Sequence, residues 1–104
     1  MGFRVVITKP AIGDLAEIVR FIASDNPAAA ARVGNGLIDR AESLRELPLR
    51  GRVVPERKQR DCREIIWKPY RIIYRVSEEK SLVEVVRFWH GARGNPVIHE
   101  PTED

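Results

Sequence analysis

His90 stands in the run Arg87-Phe88-Trp89-His90-Gly91-Ala92-Arg93, with arginines on both sides of it. Histidine exchanges protons near neutral pH. Arginine keeps its charge and grips oxyanions through a planar fork. Hydrolysis of RNA through the 2′-hydroxyl needs a base, an acid and cations around the phosphate. His90, Glu64 and the arginines could supply that set. A histidine beside a glycine turn serves equally as a structural or binding residue. Trp89 could stack on a nucleobase or fill a core. Tyr74 reads as a core tyrosine with a hydrogen-bonded hydroxyl.

The arginines recur along three β-rich runs: Arg63-Glu64-Ile65-Ile66, Tyr70-Arg71-Ile72-Ile73-Tyr74-Arg75-Val76, and Val85-Val86-Arg87-Phe88-Trp89. A small sheet tolerates arginine only where it meets solvent, a carboxylate or a partner. Arg52, Arg63, Arg75, Arg87 and Trp89 are therefore candidates for contacting a partner. The formal charge is +3, and residues 50–75 carry nine Lys or Arg against three Asp or Glu. That local +6 favours an acidic partner, either a nucleic acid or an acidic protein segment. Charge does not choose between them.

Several chemistries lack their residues. Cys62 is alone, which excludes an intrachain disulfide and a multi-cysteine zinc site and suits a reducing compartment. Two histidines without ligand spacing make no metal motif, and no glycine-rich phosphate or dinucleotide loop occurs. No cofactor is expected. No apolar run approaches about 18 residues, so no membrane span is expected, and residues 1–7 read as a strand rather than a signal peptide. A cytoplasmic location is the expectation.

Hydrophobic spacing predicts the elements that position these residues. Residues 3–8 form a β-branched strand, ended by Lys9-Pro10. Leu15, Ile18, Val19 and Ile22 make one stripe of a helix over 11–24. Asn26 caps a second helix with Pro27 at its first position. That helix should reach about Leu47, its apolar seam running through Val33, Leu37, Ala41, Leu44 and Leu47 with Ile38 beside it, and Pro48 as the stop. Residues 51–56 read as a loop and 57–61 as a charged turn. Strands follow at 63–67, 70–76 and 82–89. Tyr70, Ile72, Tyr74 and Val76 share one face of the middle strand, and Arg71, Ile73 and Arg75 the other. In the last strand Val83, Val85, Arg87 and Trp89 should share a face. The predicted fold is α+β: an N-terminal antiparallel helical hairpin on a small, mainly antiparallel four-stranded sheet. One domain should cover residues 1–98, with a flexible tail at 99–104.

An ordered set of landmarks resembles one family. They are Ala11-x-x-Asp14-Leu15-x-x-Ile18, Asp25-Asn26-Pro27-x-Ala29-Ala30, Pro48-x-x-Gly51-Arg52, Arg63-Glu64-Ile65, the run from Tyr70 to Val76, and His90-Gly91-Ala92-Arg93. The chain thereby resembles the RelE/ParE superfamily, toxins of toxin–antitoxin modules also called plasmid stabilisation proteins. The resemblance implies a cognate antitoxin that wraps the toxin, and operator DNA contacted only through that complex. It also implies one of two targets. Some members inhibit DNA gyrase, and others cleave messenger RNA on the ribosome. Arg71 and Arg93 match arginines of the nuclease members, with His90 beside them as a catalytic candidate. Glu64 and Ile66 stand where those members carry basic residues. The alanine-rich second helix and residues 88–93 look more like the gyrase-directed members, which makes gyrase inhibition the expected activity and mRNA cleavage the alternative. A non-toxic basic binding module is a further alternative.

Overall fold

Thr8 ends the first strand and Pro10 opens the first helix. The Thr8 N–H and hydroxyl both donate to the Val85 carbonyl, at 3.0 and 2.9 Å. This fixes where the chain leaves the sheet. The computed structural model describes residues 2–55 and 62–98. Within them the strands are β1 (Arg4–Ile7), β2 (Arg52–Val53), β3 (Cys62–Trp67), β4 (Tyr70–Ser77) and β5 (Leu82–His90). The helices are α1 (Lys9–Ala23) and α2 (Pro27–Glu42). Short 3-10 turns follow at Ser43–Arg45 and Gly91–Arg93.

The sheet has five strands in the order β1-β5-β4-β3-β2. This corrects the expected four. The additional strand is β2, in the segment expected as loop. It is a two-residue edge strand, Arg52 opposite Glu64 and Val53 opposite Arg63. Gly51 admits it. Its N–H donates to the buried Tyr74 hydroxyl at 2.8 Å, and a Cβ there would lie 2.6 Å from that oxygen and from the Glu64 carbonyl. β1 runs parallel to β5, while the other pairs are antiparallel. The helical hairpin carries the chain over one face, so β1 reaches β5 through a long crossover rather than a hairpin turn.

Asn26 caps α2 as its type predicts, its Oδ1 accepting the Ala29 N–H at 3.0 Å. The α-helix ends at Glu42, earlier than Leu47. There the Ser43 hydroxyl donates to the Arg40 carbonyl at 2.6 Å and the chain tightens into the 3-10 turn. Leu44 stays buried, but Leu47 is exposed.

Two apolar layers sandwich the sheet. Ala11, Leu37, Ala41 and Leu44 pack on Ile65, Tyr70, Ile72, Tyr74, Val83, Val85 and Phe88. The predicted α1 stripe, Leu15 to Ile22, is only half-buried; Ala11 and Asp14 lie deepest in α1. The far face holds a smaller cluster of Val54, Cys62, Ile73, Val86 and Trp89, with Ile98 packed against it. The chain's own C-terminal segment thus covers part of that face.

The predicted alternation holds in β4. In β5 it breaks. Tyr74 pairs with Val85 and Ile73 with Arg87, leaving Val86 as the extra residue of a bulge. The bulge reverses the side-chain phase beyond it. Phe88 joins the helix-side core, and Trp89 joins the far face.

Candidate functional site

Trp89 organises the end of the far face. Arg71 lies directly across the β4–β5 ladder from it. The Arg87 and Arg93 guanidinium carbons stand 4.7 and 4.3 Å from its ring centroid. The indole N–H donates to the Gly94 carbonyl at 2.7 Å, which turns the chain back over the face. Cations over an indole are attracted by its negative face. The bulge is what brings Trp89 to the same side as Arg71.

Each of these arginines has a carboxylate, but the pairs differ in depth. Arg71 Nε donates to Glu64 Oε1 at 2.6 Å, and Arg52 Nε donates to Glu64 Oε2 at 2.7 Å. The Glu64 side chain is fully buried, and Arg71 is only 13% exposed. A buried carboxylate with two charge-assisted bonds is a structural fixture. Arg87 forms a two-pronged pair with Asp14, with both contacts at 2.7 Å. Asp14 also accepts the Phe88 N–H at 3.2 Å. β1 ends opposite Val85, so that strand edge needs a substitute acceptor, and α1 supplies it. The bond to Asp14 raises the Arg87 pKa above its ordinary value, against the opposing effect of burial. Arg87 Nη1 also donates to the Val97 carbonyl at 2.7 Å.

Arg93 differs. Its partner Glu17 is 3.5 Å away, and the two side chains are 51% and 67% exposed. Exposed pairs of this kind contribute little and exchange readily. Arg93 is therefore the cation of this cluster most able to change partners.

His90 and Arg93 border an open cleft of about 470 Å³ beside the cluster. Ile18, Phe21 and Ile22 of α1 give it an apolar wall, and Tyr70 contributes from β4. Phe21 is 82% exposed. Tyr70 meets the His90 ring edge-on, with centroids 5.4 Å apart. Burial pushes the Tyr70 hydroxyl up. Burial pushes Tyr74 up as well, opposed by the Gly51 N–H and by Arg63 and Arg50.

The structure thus brings Arg71, Arg87, Trp89 and Arg93 together, with His90 at the adjoining cleft. It leaves Arg63 apart, donating to the Gly51 carbonyl at 2.8 Å. Arg75 faces Glu84 at 4.0 Å. The charged turn at 57–61 and the tail at 99–104 lie outside the described residues. Sequence reading missed Asp14 as a partner of Arg87 and missed the aromatic and aliphatic cleft wall. The signal for Asp14 was the arginine itself, which needed a carboxylate. Among the described residues no cluster of potential ligands could hold a metal, and no helix is long and apolar enough to cross a membrane.

Residues 5–94 match the family model described as the ParE toxin of the type II toxin–antitoxin system parDE. Two toxins of Caulobacter vibrioides are similar in sequence. Toxin RelE2 is 38% identical, covering 86% of this chain and 97% of that protein. Toxin RelE1 is 34% identical, covering 88% and 96%. A chain of the chromosomal ParDE system of P. aeruginosa shares the fold, with a TM-score of 0.72 at 17% identity over 85% of this chain and 95% of that one. A chain of the RelBE2 toxin–antitoxin complex of Mycobacterium tuberculosis has a TM-score of 0.64 at 25% identity, over 86% and 99%. RelE and ParE names thus occur about equally, which removes the lean toward ParE. The five-stranded sheet, the ordered landmarks and the match over most of the chain agree: this protein belongs to the RelE/ParE superfamily of type II toxin–antitoxin toxins.

Proposed function

We infer that this toxin cleaves messenger RNA on the ribosome and is held inactive by a cognate antitoxin. The observation that carries the reading is that Arg71 stands opposite Trp89 in the ladder and Arg93 lies over its ring, since the resemblance matches these two arginines to those of the nuclease members. A phosphate at Arg93 displaces only the exposed Glu17. Arg71, held by Glu64, presents its charge from a fixed position. The two RelE-named relatives, each matched along nearly its whole length, support the same side. For the antitoxin, the M. tuberculosis relative was solved as a toxin–antitoxin complex. An acidic segment that folds on binding suits the basic far face here.

One observation favours gyrase as the target instead. Glu64 cancels charge among Arg52 and Arg71, where a nuclease gains from cationic density. One paired assay separates the two. Purified toxin is added to ribosomes translating a defined mRNA and, separately, to gyrase of its own host. Cuts in ribosome-bound mRNA that weaken in R93A are the expected result. Intact mRNA together with lost supercoiling replaces the first reading with the second.

A further inference from the structure

His90 ends β5 and also begins the Gly91–Arg93 turn. Its backbone is extended, at φ −83° and ψ 125°, and its Nδ1 accepts the Ala92 N–H at 3.1 Å. The opening of such a turn leaves N–H groups without partners. The imidazole takes one of them, as Asn, Asp and Ser do at ordinary N-caps. The neighbouring backbone is fixed too, the Gly91 N–H donating to the Pro69 carbonyl at 2.7 Å. Tyr70, the ladder partner of His90, holds the ring from its edge.

A ring nitrogen accepts a hydrogen bond only when it carries no proton. Nδ1 is therefore bare, and the neutral ring holds its proton on Nε2. A histidine that carries a proton through a reaction must at some stage hold both. The Nδ1–H would then oppose the Ala92 N–H and break the cap. The turn so released is the one that bears Arg93. The titratable and charged groups that line the cleft with His90 are Glu17 from α1, Tyr70 from β4 and Arg93 from the turn, and Tyr70 is the one in ring contact with it.

We propose that His90 is a positioning residue: its neutral Nε2–H form caps the Gly91–Arg93 turn and holds Arg93 in place, and it does not carry a proton in the toxin's action. This refines the cleavage reading, although only the mRNA readout rests on that reading.

The test uses the full chain. Long-range proton–nitrogen spectra of labelled toxin at neutral pH should show His90 as the Nε2–H tautomer, its signal assigned by its loss in H90N. An Nδ1–H or doubly protonated ring overturns the proposal. The second arm compares H90N with H90A by growth arrest of the host and by cleavage on ribosomes. An Asn oxygen at this position can take the Ala92 N–H, so H90N should stay near wild type while H90A loses about fivefold or more. Equal loss in both variants, or no loss in either, rejects the positioning role. Intact mRNA with growth arrest that still separates the variants rejects cleavage and leaves the cap standing. Should H90A fail to fold, the tautomer in the wild-type spectrum decides.

Discussion

Glu64 divides its two carboxylate oxygens between Arg71 at 2.6 Å and Arg52 at 2.7 Å. The two bonds are unequal in consequence. Arg71 is 13% exposed and Arg52 63%, while Glu64 is fully buried. E64A removes the buried carboxylate that Arg71 and Arg52 share and should cost about 3–5 kcal/mol, as removing one partner of a buried pair does. R52A should cost no more than about 1 kcal/mol, because water replaces an exposed guanidinium. Urea unfolding midpoints measure both. Equal losses contradict this division.

Asp14 ties α1 to β5 through Arg87 and the Phe88 N–H. D14A should destabilise the fold by about 3–5 kcal/mol, leaving the Arg87 cation without its carboxylate and the Phe88 strand N–H without its acceptor. Amide exchange at Phe88 should accelerate more than exchange at the Ile72 amide in the adjacent strand. A D14A protein with wild-type stability and unchanged Phe88 protection shows that the clamp is not needed.

Two glycines should respond in opposite directions. G51A places a Cβ 2.6 Å from the Glu64 carbonyl and the Tyr74 hydroxyl. Backbone stands on one side of that contact, so about 1–3 kcal/mol of stability should be lost. Gly13 lies inside α1, where an added methyl would meet nothing within 4 Å. G13A should therefore gain up to about 1 kcal/mol from helix propensity. Denaturation curves of the two variants provide the comparison, and a stabilising G51A contradicts the tight packing.

Alkaline pH should weaken the fold through its buried tyrosines. Burial raises Tyr70 and Tyr74 above the ordinary tyrosine value, so the folded chain holds these protons more tightly than the unfolded chain. Their stabilising contribution is complete below about pH 10, the unfolded value, and falls as pH climbs toward the raised folded values. Y74F should flatten part of that alkaline decline. It should also cost about 1 kcal/mol near neutrality, where the Gly51 N–H loses its acceptor. Unfolding free energies measured across the alkaline range test both effects. A Y74F slope identical to wild type removes Tyr74 from the account.

Arg93 should separate activity from stability. Its pair with Glu17 is exposed on both sides, so R93A should change stability by less than about 1 kcal/mol. Growth arrest should nevertheless fall markedly. R71A should lose activity and stability together, because Glu64 then keeps only its exposed partner. Full toxicity in R93A removes that residue from the site.

The sequence by itself determined the helical hairpin, the β3–β4–β5 meander and the family. These rest on local information. Asn26 and Pro27 start a helix wherever they occur with such a following run, and period two in Tyr70–Ser77 assigns each side chain a face. The landmarks in their order carried the resemblance. Tertiary structure decided what the arginines do. A single extra residue at Val86 reversed the side-chain phase of the last strand and put Trp89 beside Arg71. Residues near in space but far along the chain did the rest, with Asp14 meeting Arg87 across 73 positions. An arginine's charge is written in its residue type. Whether a carboxylate neutralises that charge in the interior or leaves it for a partner depends on which atoms the fold brings within about 3 Å and how much water it excludes from them.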